Sequence, residues 1–393
     1  MTEHPAGATS PALSPPYDAD VLIIGAGPVG MALALALAGS RQRVILIDSR
    51  QRGAWIDDPR ALALSHGSRQ LLERLNAWNA MAGTPIREIH VSQRGGFGRT
   101  MLSAKDYGTP ALGYVMRYRD LAAALAARIK PEQLIDQCSV DTIETGREET
   151  TLTFTREGTI HRITAKLIVH AEGTPERGPE ITVRDYDQHA IVAEVRPATG
   201  HNNRAWERFT PDGPLALLPL GRDYSVVFTV RPAKAARLLK LNDENFLAAL
   251  QEQFGKRLEF VSTGPRAGFP LALRCRTQLA QRRQVWIGNT AQSLHPVSGQ
   301  GFNLGLRDAW ELAESLFDQS DAGNPTALAT YAKGRQFDRC GSIAFTDGIV
   351  RLFSNDLAPI SFARGIGLLA LDLYPPLRHF VAKRMIWGAR AWP

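Results

Sequence analysis

Apolar residues in this chain come in short continuous runs near its start and in alternation further on. Ala19 to Ile24 is an unbroken apolar stretch apart from Asp20 and stops at a glycine, as a fully buried strand does. The Ala- and Leu-rich run after Gly30 reads as a helix, and Val44 to Ile47 as a second buried strand ending at Asp48. A helix is predicted around Gly67 to Leu75, an alternating strand over Pro85 to Gln93, and a turn at RGGFGRT. The helix Tyr118 to Ile129 is stopped by Pro131, and alternating strands fill 137 to 169, ending in Lys166 to His170. From Gln188 to about Val230 the period is two, with runs at 190–195, 204–209, 213–218 and 224–230, which predicts a separate antiparallel sheet. A helix at Asn245 to Phe254 follows, then Phe269 to Leu273 and the buried strand Val285 to Ile287. No internal repeat is evident. The pattern gives an α/β nucleotide-binding domain interrupted by an antiparallel-sheet domain, with a helical C-terminal region.

Length and composition refine this picture only slightly. The chain has 393 residues, enough for two or three domains at roughly 150 residues each. Cys138, Cys275 and Cys340 show no CxxC spacing, which fits a reducing compartment and argues against a dithiol redox centre. The first 19 residues are rich in Pro, Ala and Ser and lack an apolar core or Arg, so they read as a disordered tail rather than a targeting peptide. The net charge of +7 invites an acidic partner, but no DNA- or RNA-binding motif accompanies it and nucleic acid is not expected.

Two stretches carry the chemistry. Gly25-Ala-Gly27-Pro-Val-Gly30 after a strand, opening a small-residue helix, is a Rossmann-like dinucleotide fingerprint. Gly25 permits the turn, Gly27 lets a pyrophosphate reach the helix N-terminus, and Gly30 lets helix and strand pack closely. Asp48 lies about 20 residues on, where an acid holds the adenosine ribose. Arg60 follows in DPRALALS, able to reach a pyrophosphate or to pair with Asp57 or Asp58. Ala171-Glu172-Gly173 closes another strand with a second nucleotide-facing turn.

The other stretch is IGNTAQSLHPVSGQGFNLGLRD, residues 287–308. Gly288 ends a strand and Asn289 presents an amide there. Pro296, Gly299 and Gly301 set an irregular loop with free backbone donors. Asn303 reads as the N-cap of a helix from Leu304, whose dipole would favour an anionic ligand edge such as the pyrimidine end of a reduced flavin. A plain glycine-rich connection remains the alternative reading of this stretch alone.

Taken in order and at their separations, GAGPVG, DPRALALSHGS and GNTAQSLHPVSGQGFNLGLRD resemble the FAD-dependent aromatic hydroxylases, single-component flavoprotein monooxygenases. YDQHAIVAEV, RAWERFTPDGPLALLPL and FPLAL are similar to the ubiquinone-biosynthesis branch. FTDGIVRLFSNDLAPI with GIGLLALDL looks most like the 2-polyprenyl-6-methoxyphenol hydroxylase subfamily. The resemblance spans roughly residues 18 to 390. It implies an FAD-binding domain formed by 20–84, 114–180 and 276–325, a substrate-binding sheet domain of 85–113 and 181–275, and a helical region over 326–393.

By the same resemblance, one FAD is reduced by NADPH or NADH, and O2 is held as a C4a-hydroperoxide that hydroxylates an electron-rich polyprenyl phenol in the membrane. Gly25, Gly27 and Gly30 would meet the pyrophosphate, Asp48 the ribose, and Arg60 the phosphates or flavin edge. Pro296, Gly299, Gly301 and Asn303 would line the flavin. Asn289 stands where most relatives place an Asp, and Glu172 replaces the usual Asp before Gly173, which leaves the pyridine-nucleotide contact open.

His295 is the nearest titratable candidate for a catalytic base; its other reading is a histidine that braces the loop. Arg204 and Tyr224 face either the cavity or the ordinary sheet. A substrate with a polyprenyl tail places the enzyme on the cytoplasmic face of the inner membrane as a peripheral protein, together with other ubiquinone-biosynthesis proteins. The basic, apolar segment after Pro375-Pro376 would be the contact. Other readings are a sibling hydroxylase acting at another ring carbon, a polyprenyl reductase and a non-catalytic FAD-bound scaffold. A tryptophan halogenase would carry a WxWxIP signature, and none of the seven tryptophans lies two positions from another.

Overall fold

Ala19–Ile24 is buried along its whole length, so it needs partners on both edges and cover on both faces. Thr159–His170 and Val44–Ile47 pair with it in parallel, and Gln284–Trp286 extends the sheet beyond the first of these. The computed structural model describes residues 18–79, 81–175, 178–353 and 358–387; the tail read as disordered lies, through residue 17, outside them. Among the described residues this sheet has eight strands. The antiparallel pair Ser139–Thr145 and Thr150–Arg156 is attached to Thr159–His170. The fold is the expected mixed α/β architecture with a Rossmann-like nucleotide domain.

A second sheet, nine-stranded among the described residues, runs through Gln292–Ser293, Ala267–Arg276, Ile181–Pro197, Asp223–Val230, Gly213–Leu220, Arg204–Thr210, Glu88–Gln93 and Arg99–Ser103. Phe260–Thr263 pairs with Ile181–Pro197 off this path. The stretch 85–93 is two strands rather than one. Thr84–Ile86 joins a three-stranded sheet with Ala61–Ser65 and Gly113–Arg117, while Glu88–Gln93 crosses into the large sheet. One face of the large sheet packs its Val226, Phe228 and Val195 under Phe246, Leu250 and Phe254 of the helix Asp243–Phe254. Its other face turns toward the loop at 287–303.

The helix Gln300–Leu316 is central to the packing. Leu306, Ala309, Leu312, Ala313 and Leu316 enter the main core with Ile23, Met31, Ala34 and Leu37. A Cβ on Gly305 would lie 3.0 Å from the Gly288 Cα, so this position has room only for glycine. The same helix carries Asp308, which is 1 % exposed. The Asp308 carboxylate accepts hydrogen bonds from the Gly288 N–H (3.1 Å), the Gln292 amide (2.7 Å) and the Arg335 Nε (2.8 Å). Arg335, on the long helix Pro325–Phe353, is fully buried and also meets Glu311 (2.7 Å) and Asp338 (2.9 Å). Burial alone would depress its pKa, and Asp308, Asp338 and Glu311 together override that and hold it above its ordinary value.

Replacing Arg335 by Met would leave these buried carboxylates without their shared cation. We expect the substitution to lower unfolding free energy by about 3–5 kcal/mol, read from the urea midpoint. A loss below about 1 kcal/mol would mean that neighbouring arginines carry the charge balance instead.

Candidate active site

The glycine loop follows from the strand it ends. Gly25 has φ +105°, and a Cβ there would lie 2.5 Å from the Ala171 carbonyl oxygen. At Gly30 a Cβ would fall 2.0 Å from the Gly25 carbonyl oxygen. These two glycines are required by the protein itself. Gly27 differs: it is the N-cap of the helix Pro28–Ala36, and the nearest atom to a Cβ is the Tyr118 hydroxyl at 3.7 Å. Nothing in the protein demands a glycine there, whereas a pyrophosphate against the helix N-terminus does.

Asp48 is buried and turned to this loop. Its carboxylate accepts from the Ala26 N–H (2.8 Å), the Arg50 N–H (2.8 Å) and the Arg50 guanidinium (3.1 and 3.2 Å). Arg60 forms a bidentate pair with Asp58 (2.9 and 2.6 Å), and its guanidinium stacks 4.7 Å from the Tyr118 ring. The Asp58 carboxylate holds the Arg60 pKa above its ordinary value. Of the two readings for Arg60, the pairing with Asp58 is the one the structure displays, and Tyr118 places that pair beside Gly27. Gly173 has φ +104°, in the turn that abuts Gly25. Glu172 beside it is tied to His170 (3.2 Å), whose ring stacks flat on Trp286 at 4.8 Å.

The second half of the site is the loop 287–303. Gly288 adopts φ +62° against Val29, and Asn289 sits half-buried in the short turn Gly288–Thr290. Among the described residues no protein group hydrogen-bonds its carboxamide, which is held beside the helix Pro28–Ala36 through Gly288. Pro296 opens the short turn Pro296–Ser298, and Gly299 closes it at φ +60°.

Here the structure corrects the expectation for Asn303. The helix begins at Gln300 with Gly299 as its cap, four residues earlier than predicted. Asn303 lies inside it, and both ends of its carboxamide serve a bridge. Its Oδ1 accepts from the Ser65 N–H (2.8 Å), while its Nδ2 donates to the Ala63 (2.9 Å) and Gly299 (2.7 Å) carbonyls. Gly301 is a glycine within a helix whose Cβ would meet nothing within 4 Å. Glycine in a helix costs about 1 kcal/mol relative to Ala, and here the protein's own packing gives no return. A flat ligand edge lying on the first turn would.

His295 is 1 % exposed. Its Nδ1 accepts the Val297 N–H (3.1 Å), so in the neutral ring Nε2 carries the proton, and that buried donor has no partner. Burial lowers its pKa to about 4, so it is uncharged at neutral pH. Its ring stands edge-on to Tyr186 at 5.4 Å. This is the geometry of a loop brace.

Between this loop and the large sheet lies a partly open cavity. Pro296, Val297, Gly299 and Gln300 form one wall, Ile89, Ala216 and Leu218 the other, and Ala382 and Ile386 of the helix Pro375–Trp387 a roof. Neither Arg204 nor Tyr224 lines it: Arg204 pairs with Glu88 (2.6 Å), and the fully buried Tyr224 hydroxyl binds Trp206 and the Arg204 carbonyl. One acidic side chain does line it. Glu207 lies on Arg204–Thr210 between Ala205 and Phe209, on the face opposite Trp206 and Arg208. Its Oε1 has no accessible surface and no hydrogen-bond partner. Desolvation raises its pKa to about 8. The only trace of this in the sequence is a charged residue at an apolar position of an alternating strand. Tyr118, Arg50 and Arg339 were equally silent there.

The residues present fit an FAD. Two glycines without a protein reason, Gly27 and Gly301, lie at two helix N-termini, the first beside Tyr118 and the second in the turn that follows Gly299.

A family model described as an FAD binding domain matches residues 18–337. The chain is 33% identical to the Ubiquinone hydroxylase UbiL of Rhodospirillum rubrum, with 99% of this chain and 94% of that protein aligned. It is 28% identical to the 3-demethoxyubiquinol 3-hydroxylase of Escherichia coli, covering 90% and 94%. Among solved structures, the p-nitrophenol 4-monooxygenase PnpA from Pseudomonas putida superposes with a TM-score of 0.76 at 15% identity, covering 94% of this chain and 98% of that one. HpxO of Klebsiella pneumoniae, complexed with FAD, gives 0.74 at 16%, covering 94% and 99%. At these identities the two structures carry the fold alone.

The contrast between Gly27 and Gly30 is testable. Gly27→Ala is expected to leave the melting temperature of the apoprotein unchanged while FAD affinity drops by about 2 kcal/mol or more, some thirtyfold. Gly30→Ala should lower the melting temperature itself. Equal FAD affinity in Gly27→Ala and the unaltered protein would remove the pyrophosphate from that position.

Proposed function

The chain belongs to the FAD-binding-domain family, in its ubiquinone-biosynthesis branch of FAD-dependent hydroxylases, and from that premise we propose that it hydroxylates a polyprenylated phenol using NADPH or NADH and O2. The narrower reading is conversion of 2-polyprenyl-6-methoxyphenol to the 1,4-benzoquinol. The observation that carries it is the cavity between the loop at 296–300 and the large sheet: mainly apolar, partly open, and bounded by the residues that fit a flavin edge. FAD, when bound, supplies the oxidation chemistry, taking hydride from the nicotinamide and activating O2.

The protein's own work is positional and electrostatic. Gly27 and the helix after it receive the pyrophosphate, and Asp48 shapes the adenosine end. The first turn of Gln300–Leu316, capped by Gly299, directs about half a positive charge at the place where negative charge develops. Ile89, Leu218, Ala382 and Ile386 exclude water and hold the ring against that edge. Asn303 fixes the loop by tying it to Ala61–Ser65. The nicotinamide meets the protein near Glu172 in this reading.

The tail of such a substrate favours lipid by about 0.8 kcal/mol for each buried CH2, and the C-terminal helices suit a bilayer surface. Among the described residues no helix is long and apolar enough to cross a membrane. The helix Ala358–Leu373 instead exposes Phe362, Ile366, Leu369 and Leu373 along one stripe, continued by Tyr374, Leu377 and Phe380. Arg378, Lys383 and Arg384 flank the stripe, against the single acid Asp372. The contact expected of the segment after Pro376 is therefore shared, and the apolar part lies mainly on the preceding helix; Arg390 falls outside the described residues. Anionic phospholipid is the surface this combination fits.

A sibling reaction at another ring carbon is the second reading, favoured by the relative named as a 3-demethoxyubiquinol 3-hydroxylase. Mass spectrometry of quinone precursors in a deletion strain decides between them. The methoxyphenol should accumulate, and accumulation of a demethoxy quinol instead would move the assignment to the sibling. For the membrane contact, the double substitution Leu369→Glu with Leu373→Glu should cut flotation with anionic liposomes at least tenfold, at about 1 kcal/mol or more for each residue, with FAD content unchanged. Undiminished flotation would remove this face from the contact.

A further inference from the structure

Glu207 is the one ionisable side chain among the described residues lining the cavity. Its cross-strand neighbours are Val91 and Ala216, both apolar and the second small, so no side chain on the sheet can pair with it. The facing loop offers Pro296 and Val297, and the roofing helix offers Ala382 and Ile386. The charges nearest along its own strand project from the opposite face: Arg204 reaches Glu88, and Arg208 donates to the Gln253 carbonyl. The polar groups in the wall, Ser65, Gln300 and Asn303, are uncharged, and both ends of the Asn303 carboxamide serve its bridge.

A carboxyl kept without a partner in an apolar wall is costly, of order 1–3 kcal/mol for the lost hydrogen bond alone. Such a group calls for a ligand that completes it. The chemistry the cavity faces supplies one: a phenol carries a single O–H at the rim of an otherwise apolar ring.

We propose that Glu207 is the base that takes the proton of the phenolic hydroxyl when the ring occupies this cavity. This rests on the hydroxylase reading above. In the step the phenol O–H bond breaks, its electron pair stays on the phenol oxygen, and the proton forms a new O–H bond with the Glu207 carboxylate. The charge of the pair is −1 before and after, so no additional charge is buried. The phenolate is the stronger nucleophile toward an electrophilic oxygen, and Glu207 can return the proton as the neutral product leaves.

The burial that isolates Glu207 also matches it to the task. A phenol near pKa 10 and an ordinary glutamate near 4.3 differ by almost 6 units, about 8 kcal/mol against transfer. With Glu207 raised to about 8 the gap falls to roughly 2 units. Only the ionised form accepts a proton, so activity should rise with pH through about 8. His295 does not compete for this role, since its Nδ1 is occupied and it does not line the cavity.

The test uses FAD-loaded enzyme and a soluble probe, 2-methoxyphenol bearing one prenyl group, followed by ultraviolet difference spectra for bound phenolate and by hydroxylated product per NADPH consumed. In the unaltered enzyme both signals should rise through pH about 8. Glu207→Gln, which keeps shape and neutral hydrogen bonding, should retain FAD and probe binding. It should lose bound phenolate and coupled product about a hundredfold, together with the inflection. Glu207→Asp, which retains a carboxyl, should recover part of both. Glu207→Gln with undiminished phenolate and an unchanged pH profile overturns the assignment. An unaltered enzyme that forms bound phenolate but no hydroxylated product overturns the hydroxylase reading and leaves Glu207 as the proton acceptor. Absence of probe binding by the unaltered enzyme overturns both.

Discussion

The loop 287–303 is an irregular stretch with little regular hydrogen bonding of its own, and what fixes it is the Asp308 carboxylate. That one group accepts from the Gly288 amide at the end of a core strand, from Gln292 at the start of the loop, and from Arg335 of the long helix. Gln292 in turn accepts from Arg339, whose guanidinium also reaches the Ala291 carbonyl. Removing an isolated carboxylate from water costs several kcal/mol, so the arrangement is stable only with every member present. The consequence is geometric. The strand end, the loop and two helices hold one mutual position, and Gly305 can lie against Gly288 without a side chain between them.

That fixed position places two unlike surfaces face to face. The Rossmann-like half contributes helix N-termini, and the large sheet contributes an apolar wall with one acid. Neither is a site alone. The C-terminal helix closes the third side with Ala382 and Ile386, while Phe380 and Leu377 of the same helix remain exposed. One element therefore has an inner face on the cavity and an outer apolar face that stays exposed, the two separated by only a helix diameter, about 10 Å.

Much of this was legible in the residues because local rules decide it. Gly25 and Gly30 announce a turn that only glycine can make, and the strand before them is apolar apart from Asp20. The irregular course of the loop 287–303 was legible for the same reason. Asn303 misled because its amide suits an N-cap as well as it suits a bridge. Gly299 in the left-handed conformation took the cap, and only the approach of Ala63 and Ser65 from more than two hundred residues away gave Asn303 other partners. The stripe at Phe362 to Leu373 was hidden in a helix apolar on several sides, where which side stays uncovered depends on packing and not on period. Glu207 was hidden differently. Alternation told that it faced away from Trp206, but not which face would be covered by helices and which by the cavity.

Glu207 and His295 make a pair of opposite solutions to the same burial. Desolvation pushes the histidine down to about 4 and the glutamate up to about 8, so near neutrality the first is uncharged and the second largely so. An empty cavity is thus close to electrically neutral along its whole surface, which favours entry of an apolar ring and tail over water or ions. In the proposed step the single negative charge moves from the Glu207 carboxylate to the phenol oxygen, in the cavity that the helix N-terminus after Gly299 lines. The neutral brace and the isolated acid together let one cavity be lipophilic when empty and anion-stabilising when filled.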